Sequence, residues 1–295
     1  MKKPNLFIVG APKAGTTSLY RYLQTHSNIF LSEVKEPHFF NTDTNNEKSL
    51  EGLETYLELF KNAKNEKYLG EASTHYLMSD VAAKNIKELS KEAKIIIMLR
   101  KPSDLIYSAY YQNIFNGTED AKTLEEALSI ENNRDKNDKI SHAETFHLIY
   151  SRFVCYKKYI ENYYKVFGKE NVLIIFFKDF KTDTEKEYNR VLNFLSLEKE
   201  AKVSFKQYNS SKKIRSILVR SLLNNPSKTL VLFVNAIFPK YIRKKIVKFI
   251  KNKNTNYINK DLISPKTEKM LIKKYSKEVE KLEQFLTVDL SHWKS

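Results

Sequence analysis

Leu6-Phe7-Ile8-Val9-Gly10-Ala11-Pro12-Lys13-Ala14-Gly15-Thr16-Thr17-Ser18-Leu19 reads as a strand, a glycine-containing loop and the first turn of a helix. The apolar run predicts a strand buried on both faces, as in a parallel sheet. Gly10 and Gly15 permit positive φ and close backbone approach. Lys13 supplies a cation, and Thr16, Thr17 and Ser18 supply hydroxyl donors, where the N–H groups and dipole of a helix start favour a phosphate. The glycine spacing matches the triphosphate loop G-x-x-x-x-G-K-[ST]. That motif, however, needs lysine at position 16, where Thr16 stands, and the lysine sits at 13 instead.

Working outward, further apolar runs at Tyr68–Leu69, Lys94–Leu99 and Val172–Phe177 predict strands. Helical patterns alternate with them over Thr17–Thr25, Val81–Leu89, Asp104–Phe115, Ser151–Phe167 and Glu185–Leu195. The fold class this implies is α/β: a P-loop-like, open, mainly parallel sheet flanked by helices, with a C-terminal basic helical segment. Ligands of such sheets bind at the carboxyl ends of the strands. The third predicted strand ends there in Arg100-Lys101-Pro102, a cation pair suited to an anion, whereas magnesium-triphosphate chemistry asks for a carboxylate.

The chain of 295 residues carries a net charge of +16. The excess is local: residues 201–260 hold 15 Lys or Arg and no Asp or Glu, leaving 36 basic against 35 acidic residues elsewhere. We expect one domain over residues 1–295. Residues 1–200 would form a nucleotide-binding core, 201–260 a basic helical cover or docking segment (Ile214–Leu223, Lys228–Phe238 and Ile242–Lys251), and 261–295 a closing helix, Pro265–Leu286, with its tail. The apolar run Leu6–Val9 is too short for a secretory leader, and Leu230–Phe238 falls short of the roughly 20 residues of a spanning helix. With a lone Cys155, these features lead to the expectation of a cytoplasmic protein. Cys155 reads as buried filler, His142 and His147 as ordinary helix residues, and no metal site is legible.

Pro12-Lys13-Ala14-Gly15-Thr16-Thr17-Ser18-Leu19 resembles the 5′-phosphosulfate loop of sulfotransferases that use 3′-phosphoadenosine 5′-phosphosulfate (PAPS). Lys94–Pro102, with Ser108 on the following helix, resembles that family's 3′-phosphate motif. Lys35-Glu36-Pro37-His38-Phe39-Phe40, Gly70-Glu71-Ala72-Ser73 with Tyr76, and Asp289-Leu290-Ser291-His292-Trp293 are similar to segments of its glycan and bacterial branch. The resemblance implies PAPS as co-substrate, without metal. It makes Glu36 the general base, with His38 as an alternative base or as its orienting partner, and Lys13 the group that relieves charge on the leaving phosphate. Lys13, Ala14, Gly15, Thr16, Thr17 and Ser18 would hold the 5′-phosphate, and Arg100 and Ser108 the 3′-phosphate. One of Lys212, Lys213 and Arg215 would join them, from a stretch that lacks the glycine many relatives have. Ala72 stands where several glycan sulfotransferases carry a lysine. The acceptor implied is a glycan, a glycolipid or a small molecule.

For residues 201–260 a solvated basic face is the plain reading. Tyr241–Lys251 also sets apolar residues at helical spacing opposite lysines, a pattern that suits peripheral contact with an anionic membrane. Nucleic-acid binding is the weakest reading, since no recognition motif accompanies the charge. The competing functions are a P-loop kinase using Mg-ATP and a non-enzymatic basic adaptor for nucleic acid or membrane.

Overall fold

A computed structural model describes residues 2–44, 50–135, 146–200, 203–206 and 263–295, with isolated stretches between 206 and 263. Its elements in chain order are β1 (Leu6–Gly10), α1 (Thr16–Leu23), β2 (Ile29–Leu31), α2 (Leu53–Leu57), β3 (Tyr68–Ala72), α3 (Ala82–Leu89), β4 (Lys94–Leu99), α4 (Pro102–Asn116), α5 (Leu124–Asp135), α6 (Tyr156–Phe167), β5 (Val172–Phe176), α7 (Phe177–Thr182), α8 (Thr184–Phe194), β6 (Lys212–Ile214), β7 (Thr255–Tyr257) and α9 (Pro265–Leu286). Strands β1 to β5 form one sheet in the order β2-β3-β1-β4-β5, with every pairing parallel. β1 lies at the centre and is buried throughout, as its unbroken apolar run requires.

The order of the strands fixes where a ligand can sit. After β1 the chain leaves toward β2 at one edge, and after β4 it leaves toward β5 at the other. The two connections diverge between β1 and β4 and open a crevice at the carboxyl end of the sheet. Both motifs read from the sequence, Gly10–Ser18 and Arg100, emerge at that crevice.

Besides α2, α5 and α7, which were not among the expected helices, sequence and structure differ in four places. β2 was not expected, because three residues carry no legible alternation. β3 runs past Leu69 through Gly70, Glu71 and Ala72, all buried. Gly70 allows the close strand approach, since a Cβ there would lie 2.6 Å from the Leu6 carbonyl, and the charge of Glu71 masked the strand. The expected helix Ser151–Phe167 splits at Cys155 into a 3-10 turn, Tyr150–Val154, and α6. Finally, Ile214 does not start a helix but ends β6, which pairs antiparallel with β7. Pairing across so long a separation leaves no local periodicity. The remainder of Ile214–Leu223 and all of Lys228–Phe238 lie outside the described residues. The described members of Ile242–Lys251 are helical.

The end of the chain packs against the carboxyl side of the sheet. α9 starts on Ser264, whose hydroxyl accepts from Thr267 N at 3.1 Å, with Pro265 in its first turn. It buries Leu271, Tyr275, Val279 and Leu282, one stripe at helical spacing, and packs on α4 and α6. Trp293, 3% exposed, lies 6.1 Å from the Tyr156 ring and 5.7 Å from that of Phe176.

Candidate active site

The loop after β1 needs its glycines. Gly10 has φ 154°, and a Cβ on it would meet Leu77 Cβ at 2.6 Å. Gly15 has φ 90°, and its Cβ would lie 2.9 Å from the Phe177 ring. Ala11 N donates to Met98 O at 2.6 Å, tying the loop to β4. Gly15 is the cap of α1, whose first turn holds no carboxylate and no side-chain cap. Ser18 N donates back to Gly15 O at 3.0 Å, while the earliest N–H groups of a helix have no intrahelical acceptor, so this turn, with the hydroxyls of Thr16, Thr17 and Ser18, has the donors that suit an anion. Ala14 is fully buried beneath it.

Arg100 reaches the loop from β4. It is 7% exposed, and its Nη1 donates to Lys13 O at 2.9 Å while Nη2 reaches Asp104 Oδ2 at 3.3 Å. The guanidinium carbon lies over the Phe177 ring, 4.8 Å from its centre, a cation–π contact. Arg100 Nε is buried with no acceptor among the described residues. A buried, charged donor left without a partner is costly, and an incoming phosphate oxygen would satisfy it. Lys101 is the correction to the expected cation pair: its Nζ turns away, to Glu268 at 2.8 Å and Ser295 O at 2.6 Å.

Lys13, at φ 62°, places Nζ 3.0 Å from Gln112 Oε1. Asp104, Ser108 and Gln112 follow at four-residue spacing along α4 and so share one stripe. Ser108 is thus flanked by the partner of Arg100 and the partner of Lys13. β6, which holds the backbone of Lys212 and Lys213, packs beside α4. The side chains of Lys212 and Lys213, with all of Arg215, lie outside the described residues, as does His142.

The Lys35–Phe40 segment lies across the end of β3. Glu36 N donates to Ala72 O at 2.9 Å. Glu36 and His38 have φ of 60° and 53°, left-handed conformations that cost on the order of 1 kcal/mol or more each in non-glycine residues. The Glu36 carboxylate accepts from Lys35 Nζ at 2.6 Å and lies 3.7 Å from His38 Nε2. Burial pushes this carboxyl up, but the contacts with His38 and Lys35 outweigh it and hold it well below the ordinary carboxylate range. Thr74 bridges to the loop: its hydroxyl is 3.4 Å from Glu36 Oε1, and its carbonyl is 3.0 Å from the Cβ that Gly10 lacks.

His38 is 5% exposed, with Nδ1 buried and without a partner among the described residues. The His75 ring lies 5.1 Å from it, and burial, with the neighbouring His38, lowers the pKa of His75 to about 4. His147, expected to be an ordinary helix residue, sits in a 3-10 turn instead, its Nε2 buried.

Four residues at the site carried no role in the sequence reading: Glu71, Thr74, Gln112 and Phe177. Glu71 is fully buried and accepts from Tyr56, Ser73 and Tyr76 hydroxyls; burial pushes its carboxyl up. It was visible only as part of the Gly70–Tyr76 segment. The repeat of polar residues at 104, 108 and 112 was the available signal for Gln112.

The sequence model of the family described as "Sulfotransferase domain" matches residues 3–264. The chain belongs to the sulfotransferase family. This sulfotransferase is 25% identical to the sulfotransferase of Alicyclobacillus acidocaldarius, whose crystal structure it matches over 100% of both chains with a TM-score of 0.75. The fold also matches mouse sulfotransferase SULT7A1 complexed with PAP, at 15% identity and a TM-score of 0.50 over 94% of this chain and 84% of that one. Among curated proteins it is 29% identical over 204 residues to the mouse bifunctional heparan sulfate N-deacetylase/N-sulfotransferase 1, covering 66% of this chain and 22% of the relative. The chain spans less than half the length of the first curated relatives it matches. No described helix is long and apolar enough to cross a membrane.

Proposed function

We propose that this sulfotransferase moves the sulfonate group of PAPS to a hydroxyl or amine of a glycan, glycolipid or small acceptor. One observation supports the reading: at the β1/β4 crevice the N-terminus of α1, without a side-chain cap, follows the Lys13 carbonyl that Arg100 holds, and the buried Nε of Arg100 has no acceptor among the described residues. PAPS carries phosphate at both ends of its nucleoside and fits such a two-point site. Gly15 to Ser18 bind the 5′-phosphate, and Arg100 and Ser108 the 3′-phosphate, with Lys212, Lys213 or Arg215 reaching over it. Lys13 leaves Gln112 for the oxygen that bridges phosphorus and sulfur.

In the transfer, the bond from sulfur to that bridging oxygen breaks and a bond from sulfur to the acceptor oxygen or nitrogen forms. Lys13 meets the charge that develops on the 3′,5′-adenosine bisphosphate leaving group. Glu36 takes the acceptor proton. A carboxylate held so acidic is a weak base toward a free hydroxyl, so the proton moves as bonding to sulfur acidifies the acceptor. His38, with Nε2 on Glu36, orients the carboxylate and is the alternative base.

The kinase reading is not favoured, because a threonine stands where its lysine must be and β4 ends in Arg100; family membership tells against the non-enzymatic adaptor. Calorimetry with 3′,5′-adenosine bisphosphate and, separately, Mg-ATP tests the donor: binding of the bisphosphate is expected, and its failure with intact folding overturns the reading. Radiolabelled PAPS offered with N-desulfated heparan, a glycolipid and a phenol tests the acceptor. The heparan relative named above makes the first of these the leading candidate. Glu36→Gln should bind the bisphosphate normally and lose turnover on the responding acceptor, and normal turnover would remove Glu36 from the base role.

The segment 201–260 suits contact with an anionic bilayer at which such an acceptor is presented. Ile242, Ile246 and Phe249, 41%, 38% and 62% exposed, recur at helical spacing within the acid-free basic stretch. Sedimentation with phosphatidylglycerol vesicles but not with phosphatidylcholine vesicles is expected, and equal recovery with both would refute it.

A further inference from the structure

Glu71 sits fully buried on β3, and its three donors are hydroxyls: Tyr56 at 3.1 Å, Ser73 at 2.7 Å and Tyr76 at 2.7 Å. The site as described uses none of them. In all three bonds the hydroxyl is the donor and a Glu71 oxygen the acceptor, so each hydroxyl points its single proton at Glu71. The lone pairs of each oxygen are thereby turned outward. For two of the three they meet the Glu36 segment. Ser73 Oγ accepts from His38 N at 3.2 Å, and Tyr76 Oη accepts from Phe39 N at 2.9 Å and Phe40 N at 3.4 Å. Tyr56 makes no such bond among the described residues. Its ring stacks on Phe39 at 4.4 Å, a contact that does not involve its hydroxyl.

The segment so held is strained, with both Glu36 and His38 left-handed around Pro37. Such conformations persist only where the surroundings over-determine them. Here the determining contacts are successive: Glu36 N on Ala72 O, His38 N on Ser73 and Phe39 N on Tyr76. Residues 71 to 76 thus act as a template for residues 36 to 40, and the carboxylate sets the polarity of that template.

We propose that Glu71 is a positioning residue for the catalytic base, acting through the hydroxyls of Ser73 and Tyr76 to fix the backbone that sets Glu36 against His38. The proposal rests on the assignment of Glu36 as base, and its test keeps the two separable. A glutamine at 71 can donate as well as accept. Hydroxyls relieved of donating to Glu71 can then turn their protons toward the amides of residues 38 to 40, which breaks the template without removing bulk.

The decisive comparison is between Tyr76→Phe and Tyr56→Phe. Each removes one hydroxyl from Glu71 and keeps its ring, but only the first removes an acceptor from the segment. In protein labelled with carboxyl-13C glutamate, the Glu36 signal is assigned by its loss in Glu36→Gln, and its titration is followed beside amide exchange at Phe39 and Phe40. For Tyr76→Phe, and also for Ser73→Ala, Glu36 should titrate at higher pH, because the contacts with His38 and Lys35 that lower it are loosened. Amide exchange at Phe39 should accelerate about tenfold or more in Tyr76→Phe. Tyr56→Phe should leave both readouts as in the wild type, and all three variants should keep their affinity for 3′,5′-adenosine bisphosphate.

If Tyr56→Phe moved both readouts as far as Tyr76→Phe, the network would be core packing alone, and the proposal would fall. It would fall as well if Tyr76→Phe moved neither. Retained turnover in Glu36→Gln would instead remove the base assignment and leave the NMR comparison standing. Should Glu71→Gln not fold, Tyr76→Phe and Ser73→Ala carry the test.

Discussion

Replacing Arg100 by lysine isolates what the guanidinium does beyond its charge. Arg100 gives Nη1 to Lys13 O and sets its guanidinium over the Phe177 ring, while Nε has no acceptor among the described residues. With the nucleotide bound, one geometry therefore holds the loop and presents a second donor to the phosphate. A lysine ammonium has no fork and can serve only one of these acceptors well. Hydrogen bonds to charged groups are worth about 1.5–3 kcal/mol each. Arg100→Lys, losing about one such bond, should weaken 3′,5′-adenosine bisphosphate by roughly 10- to 150-fold. Arg100→Ala, losing two and the charge, should weaken it by at least about 100-fold. The assay is calorimetric titration at a fixed, moderate ionic strength, since screening alone shifts phosphate affinity. Urea unfolding runs alongside, because the lost bond to Lys13 O and the lost cation–π contact should also cost about 2–4 kcal/mol of stability. Bisphosphate binding by Arg100→Ala within about threefold of wild type would refute the two-point phosphate site, whatever the stability result.

Two further outcomes follow from the geometry. Gly15→Ala forces an L-residue to φ 90° and a methyl to within 2.9 Å of the Phe177 ring. The strain and overpacking together should cost about 2–5 kcal/mol in urea unfolding and disturb the ring on which Arg100 rests; a neutral result would mean that the loop relaxes freely. His75, lowered from 6.5 to about 4 by burial, binds its proton more weakly folded than unfolded. Its stabilising share is therefore complete above pH 6.5 and is lost as pH falls from 6.5 toward 4. At about 1.4 kcal/mol per unit this amounts to at most about 3.5 kcal/mol, less whatever the partly exposed ring recovers from water. Unfolding free energies measured between pH 7 and pH 4.5 should fall more steeply in the wild type than in His75→Asn, and parallel curves would contradict the assignment.

How legible the site was depended on the range of the interactions involved. Gly10, Gly15 and the hydroxyls of Thr16 to Ser18 are local chemistry, fixed by the steric needs of a tight turn and by a helix start, and their positions agree with the sequence reading. β4 matches its predicted bounds because an unbroken apolar run has few alternatives, and α9 matches because Ser264 and Pro265 mark its first turn. Lys101 misled, since nothing in a dipeptide of two cations says which one faces the crevice; its partner Glu268 lies far along the chain. Gln112, Phe177 and Thr74 were silent for the same reason. Each acquires its role from a residue on another element.

Glu71 shows the division most clearly. By itself a glutamate in an otherwise apolar stretch argues against a strand, because burying a charge is costly without partners. The partners exist, but Tyr56 is brought to Glu71 from α2, and the amides that the network serves come from the segment after β2. The sequence alone determined that a strand, a glycine-containing turn and a helix follow one another, and that Arg100 ends a buried strand, because backbone sterics and apolar runs act between near neighbours. Only the tertiary structure decided which side chains meet at the β1/β4 crevice, that Lys101 turns away from it and that a buried carboxylate, Glu71, lies behind the hydroxyls that receive the amides of residues 38 to 40. Those are distances between residues far apart in the chain, set by the order and register of the strands.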